Sequence, residues 1–221
     1  MSIWNNILNV IFPSYCLVCG KTGRDLCEEC LEGSPTAERE TDNWIFPLFD
    51  YRHPPVKKAI SLLKYKGKKR LAIIFAEVMY GRITEELADA RILENFQKPV
   101  LIPIPLAPRR KRERGFNQSW LICKHLLKID EGRGSDSMEF SLAPNVLIKP
   151  KDTKHQAEIK ERGKRLRNLE GSFEIKDPHS IHGRNIILID DVTTTGATLT
   201  EARKVLRSSG ARKVMAFTIA H

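Results

Sequence analysis

Ile186-Ile187-Leu188-Ile189-Asp190-Asp191-Val192-Thr193-Thr194-Thr195-Gly196-Ala197-Thr198 is the stretch on which the reading of the chain turns. Four consecutive apolar residues predict a strand covered on both faces. Two carboxylates stand at its carboxyl end, small residues follow, and Leu199 to Ser209 reads as a helix closed by Gly210, a suitable left-handed C-terminal residue. A helix start leaves main-chain N–H groups unpaired. With the helix dipole they form a natural seat for a phosphate dianion. Gly196 lets the backbone approach closely, and the threonine hydroxyls add donors. Carboxylates repel phosphate, so Asp190 and Asp191 must serve a different group. They can accept hydrogen bonds from a vicinal sugar diol, or share a magnesium ion with a diol and a pyrophosphate. No Gly-Lys-Ser/Thr follows, which excludes a Walker loop, and the Gly-x-Gly-x-x-Gly dinucleotide turn is absent as well. The plain alternative is a pair of solvated strand-end acids with Thr198 as an N-cap. Strand, acid pair, small loop and helix occurring together favour a ligand.

Outward from that stretch, Asn185 to Ile189 and Lys213 to Ile219 are strands, and Val100 to Ile104 is a short apolar strand ending in Pro103 and Pro105. A basic loop, Arg109 to Asn117, leads into a helix over Ser119 to Lys128. Asp130 to Asn145, with Gly132, Gly134, Ser135 and Ser137, reads as a loop or insertion, and Val146 to Ile148 as a short strand. Trp44 to Tyr51 alternates as a strand does. Val56 to Lys69 is a basic helix with Gly67 near its end, and Leu71 to Leu87 a second helix. Strands alternating with helices imply an α/β fold, a parallel sheet with right-handed crossovers and a ligand beyond the carboxyl ends of its strands.

The chain has 221 residues, 41% hydrophobic and 29% charged, enough apolar material for a core and too much for disorder. The formal net charge of +10 attracts phosphate, on small ligands or along a nucleic acid. Met1 to Asn9 holds no Lys or Arg, and no apolar run approaches the ~20 residues of a membrane span. A cytoplasmic protein is expected. In a reducing cytosol Cys16-x-x-Cys19 and Cys27-x-x-Cys30, seven residues apart, point to metal before disulfides. Four thiolates in two knuckles can close a tetrahedral zinc site, with redox or disulfide chemistry as the rival readings. The module spans residues 1–40, with Trp4, Ile7, Leu8, Ile11 and Phe12 as a helix packed against it and Leu31 to Asn43 as a linker. Residues 41–221 form the second domain. Cys123 reads as a buried inert thiol, and the six histidines share no metal spacing.

The acid pair and Thr-Gly loop resemble the signature of the type I phosphoribosyltransferases. By that resemblance Asp190 and Asp191 hold the ribose hydroxyls of phosphoribosyl pyrophosphate, and Thr193, Thr194, Thr195, Gly196, Ala197 and Thr198 hold its 5-phosphate. The loop after the Val100 strand would grip pyrophosphate through Arg109, Arg110, Arg112 and Arg114. Thr153 to Asn168 looks like the family's loop that closes over the ligand, equally an exposed charged helix. Lys64-Tyr65-Lys66-Gly67, Arg114-Gly115-Phe116-Asn117-Gln118, the Cys-x-x-Cys pairs and Asp190 to Thr198, in that family's order but with His155 where its Pro is expected, resemble the ComF (ComFC-like) competence proteins. That resemblance implies a protein that binds phosphoribosyl pyrophosphate and handles single-stranded DNA during natural transformation, with structural zinc, with magnesium accompanying the ligand, and with a competence helicase or a recombination protein as partner. The alternative is an active phosphoribosyltransferase acting on a base or an amine. No catalytic base stands out, which such chemistry does not require.

Overall fold

The computed structural model describes residues 14–38, 42–150 and 171–221. Its elements in chain order are α1 (Glu28–Glu32), β1 (Ile45–Phe49), α2 (Pro54–Tyr65), α3 (Leu71–Leu93), β2 (Val100–Pro103), α4 (Pro108–Arg114), α5 (Gln118–Glu131), β3 (Ser141–Leu142), β4 (Leu147–Ile148), β5 (Glu174–Ile175), β6 (Asn185–Val192), α6 (Ala197–Ser208) and β7 (Lys213–Ala220). Five strands make one parallel sheet in the order β1-β7-β6-β2-β3. β4 and β5 form a separate antiparallel ribbon.

β6 is the central strand, and its side chains divide between two cores as strand alternation demands. Ile187 and Ile189 join the cluster built with α2, α3 and α5. Ile186 and Leu188 join the cluster containing Leu199, Ala202 and Leu206 of α6. All four are fully buried, each contributing about 1.5–3 kcal/mol of apolar burial. β6 is thereby clamped from both faces, and the residues at its end are set by the core rather than by the loop.

The chain leaves β2 toward β3 through α4 and α5, and leaves β6 toward β7 through α6. The paired strands β2 and β6 therefore send their connections in opposite directions, opening a crevice at the carboxyl end of the sheet where ligands of such folds bind.

The expected α/β architecture is present, with three local differences. Arg109 to Asn117, expected as a loop, is mostly helix α4. Pro108 occupies its first turn, Arg109 and Glu113 pair at 2.8 Å one turn apart, and Gly115 closes it at φ 72°. The stretch from Asp130 to Asn145, expected as a loop, contains the edge strand β3. It is organised by buried Asp130, which accepts from Tyr80 Oη, Ser137 Oγ and the N–H groups of Met138 and Phe140. The expected linker begins with the end of α1, and Thr36 then bridges to Phe49 on the outer edge of β1. The sequence readings at Trp4 to Phe12 and Thr153 to Asn168 lie outside the described residues.

Candidate sugar-phosphate site and thiol cluster

The two acids fall within the last turn of the β6 ladder, Asp190 in register with Thr218 of β7. Asp191 is buried and Asp190 half-buried. A buried carboxylate needs partners, and both have them. Lys64 Nζ lies 2.6 Å from Asp191 Oδ1, and the Gln118 amide donates to Asp191 Oδ2. Ser119 Oγ, at 3.2 Å, and the Asp191 N–H, at 2.8 Å, donate to Asp190 Oδ1. Among the described residues no hydrogen bond occupies Asp190 Oδ2. Burial raises the Asp190 carboxyl to about 7 and the neighbouring Asp191 charge adds to it, while the Asp191 N–H, Lys64 and Ser119 pull it back.

The Arg-Gly-Phe-Asn-Gln motif now has a structural reason. Gly115 in the left-handed region ends α4. Asn117 caps α5, accepting from the Ser119 N–H at 3.0 Å, and its amide donates to the Ile104 carbonyl just past β2 at 3.0 Å. The α5 start is tied in this way to the loop after β2, and its first two residues, Gln118 and Ser119, are carried onto the acid pair. Lys64 arrives from the last turn of α2.

The loop after β6 begins with Thr193, which is buried and donates its N–H to the Ala220 carbonyl at 2.9 Å. It serves to close the loop onto β7. Gly196, at φ 71°, is the N-cap of α6, and a Cβ there would sit 3.2 Å from Ile45 Cδ1. Glycine is needed for conformation and for space. The Ala197 N–H reaches Thr195 Oγ1 at only 3.4 Å. The N–H groups of Thr194, Thr195 and Gly196 carry no hydrogen bond among the described residues, which leaves a main-chain cradle with the polarity an oxyanion requires.

The arginine cluster is divided by its helix. Arg109 and Arg112 are exposed, Arg109 held by Glu113. Arg110 and Arg114 are half-buried and line a cavity of about 180 Å³ with Lys64, Tyr65, Gly67, Glu113 and Phe116. Lys64, Gln118 and Ser119 are residues that sequence reasoning did not place in a site. Lys64 and Gln118 are signalled only by membership of two short motifs, and Ser119 only by its place at the expected start of a helix.

Cys16, Cys19, Cys27 and Cys30 come together with all four sulfurs within 4.8 Å of one another, and Cys19 Sγ lies 3.6 Å from Cys27 Sγ. Bonds of ~2.3 Å to one tetrahedral ion require sulfurs at about this separation, so the set can close on a single metal ion. Leu26 and Leu31 of the same segment are buried in the core shared with α2 and α3, and Asp25 pairs with Lys68 at 2.6 Å. Cys123 is fully buried, and burial pushes its thiol well above the ordinary value.

No helix of the described residues is long and apolar enough to cross a membrane. No family model matches the chain. Its relatives include the DNA utilization protein YhgH of Escherichia coli O157:H7, 29% identical over 194 residues, 87% of this chain and 76% of that protein. Competence protein F of Haemophilus influenzae is 25% identical over 91% of this chain and 83% of its own length. Competence protein ComFC of Bacillus subtilis is 32% identical over 74% of this chain and 59% of its own length. Among solved structures, a hypoxanthine phosphoribosyltransferase from Staphylococcus aureus aligns over 66% of this chain and 61% of its own, at 16% identity and a TM-score of 0.38. The chain is thus similar over most of its length to competence proteins F and ComFC and to the DNA utilization protein YhgH, and it brings together the parallel sheet, the acid pair before a Thr-Gly loop and the four clustered cysteines that the resemblance to the ComF (ComFC-like) proteins implies.

Proposed function

We propose that the protein binds phosphoribosyl pyrophosphate, or a closely similar sugar phosphate, at the end of β6 and handles single-stranded DNA during natural transformation. The observation that carries the ligand half is the convergence at the β2–β6 crevice. Unpaired N–H groups before α6 would take the 5-phosphate, the two acids the ribose hydroxyls, and Arg110 and Arg114 the pyrophosphate. Magnesium would enter with the ligand, since three of the four acid oxygens already have protein partners. The thiol cluster would hold zinc, the ion that sulfur ligands in a closed tetrahedral set favour. The DNA half draws on the relatives, whose names speak of DNA utilization and competence, and on the +10 net charge.

Calorimetric titration with phosphoribosyl pyrophosphate tests the ligand half. The wild type should bind, and Asp190→Ala with Asp191→Ala should lose about 2 kcal/mol or more, as removal of charge-assisted hydrogen bonds does. Equal affinity of the two proteins would refute the roles given to the acids. Pyrophosphate release measured on the same sample with bases and amines separates binding from transfer.

A further inference from the structure

The turn between α2 and α3 separates two basic hollows. One is the cavity of about 180 Å³ next to the acid pair. The other is a wider groove of about 740 Å³ running from Tyr15 and Cys16 of the thiol segment past Lys58, Lys68, Lys69 and Arg70. Gly67, at φ 64°, lines both. Seven cationic side chains line the two hollows, opposed by Asp25 and Glu113, which are engaged by Lys68 and Arg109. Lys58, Lys69 and Arg110 make no ion pair among the described residues.

Aromatic rings punctuate this basic track. Tyr65 is 64% exposed and Tyr15 54% exposed, the two most exposed large apolar side chains of the described residues. The Arg114 guanidinium carbon stands 5.1 Å from the Tyr65 ring centre, and Lys69 Nζ 5.2 Å from that of Phe116. Positive charge that follows a groove, interrupted by the exposed Tyr65 ring under a guanidinium and by the half-buried Phe116 ring under an ammonium, suits a backbone of phosphates whose bases are free to stack. A duplex keeps its bases stacked on one another and cannot use the rings.

We propose that this track is the binding groove for single-stranded DNA, entering along Lys58, Lys69 and Arg70, crossing Gly67, and placing one base on the exposed Tyr65 at the edge of the cavity whose arginines face the pyrophosphate. The inference rests on the nucleic-acid half of the function proposed above and adds its location. It also makes the two binding sites neighbours. Tyr65 takes the base while the adjacent Lys64 reaches Asp191 at 2.6 Å, so strand and sugar phosphate meet consecutive residues of one helix end.

Fluorescence anisotropy with a short labelled oligothymidylate tests the groove, with the full chain retaining its metal. Tyr65→Ala should lower affinity about tenfold with the salt dependence unchanged, because it removes a stacking ring and no charge. Lys69→Gln with Arg70→Gln should lower affinity and reduce the slope of log affinity against log salt by about 1.4, about 0.7 for each lost phosphate contact. Lys98→Gln with Arg133→Gln, at the opposite end of the sheet, should stay within about twofold of wild type. Circular dichroism melts of each variant confirm the fold, and the exposure of Tyr65 makes its replacement structurally mild. If the wild type binds the oligonucleotide and the groove variants bind equally well, the location is wrong while DNA handling stands. If duplex binds as well as single strand, the stacking argument fails. If the wild type binds no oligonucleotide, the groove and the DNA half of the proposed function fall together, leaving the sugar-phosphate titration as a separate question.

Discussion

The acid pair and the thiol cluster pose one electrostatic problem and solve it in opposite ways. Each gathers like-charged groups in a small volume. At Asp190 and Asp191 the fold itself supplies the compensation: a lysine from α2, an amide and a hydroxyl from α5, and a main-chain N–H. Around the four sulfurs the cation that the Cys19 and Cys27 charges reach is Lys21, and it is shared with a carboxylate. Lys21 is paired with Glu29 at 2.8 Å, and Cys16 accepts an N–H from Cys27 at 3.4 Å. Cys30 is pushed up to about 12, first by the neighbouring Cys27 and then by burial, whereas main-chain N–H groups carry Cys16 down to about 6 against its own burial. A cation seated among the four sulfurs would invert the cost of ionising them. The acid pair is held by partners within the fold, whereas the thiol set would take its counter-charge from a metal ion.

Metal removal breaks the comparison most severely. Structural zinc sites of this kind carry about 10–16 kcal/mol of apparent binding free energy, which is folding free energy for the segment they close. Stripping the metal with a chelator should abolish hydrogen-exchange protection between Cys16 and Leu31 and leave β6 and β7 protected. The buried Leu26 and Leu31 should carry part of the loss into α2 and α3, the helices they pack against. Unchanged protection in metal-free protein would mean that the segment stands on its apolar contacts alone.

A smaller effect is expected from Lys64→Met, which leaves Asp191 buried and short of its counter-charge. Breaking a buried pair from one side costs about 3–5 kcal/mol, and the 15% exposure of the Lys64 side chain places this case near the lower end. Urea denaturation should show the loss, and adding Asp191→Asn should restore most of it. Additive losses in the double variant would show that the two residues do not act as a pair.

These partners also mark the limit of what the sequence discloses. The β6–loop–α6 unit was legible because its signals are local: an apolar run, an acid pair, small residues and a glycine whose φ of 71° no other residue adopts as readily. The cysteine spacing was legible for the same reason. Gln118 and Ser119 stand 73 and 71 positions from the carboxylates they hold, and no periodicity connects residues brought together only by the sheet order. The two residues of β3 are too few to show alternation. The Arg109 to Arg114 run reads as a basic loop until the Arg109–Glu113 pair and the closing Gly115 are seen to make it helical. Local chemistry was readable and its tertiary support was not, and this support is what distinguishes the acid pair from the thiol cluster.

The smallest effect sharpens the comparison from the acid side. A carboxyl held at about 7 in the fold and near 3.8 when unfolded binds its proton more tightly in the native state. Its contribution to stability is then fully present below about pH 4 and is lost as pH rises through about 7. Asp190→Asn removes that titration, so the stability of the variant relative to wild type should increase between pH 5 and pH 8. Parallel urea curves across that range would show that Asp190 is already ionised throughout. The ligand should act in the opposite direction, because sugar hydroxyls donate to the charged carboxylate and favour it. Binding at neutral pH should release protons, visible in calorimetry as a heat that changes with the ionisation enthalpy of the buffer, and affinity should rise as pH passes through about 7. A thiol set holding a metal ion would show no such gain in that range, since the ion would compensate its charge.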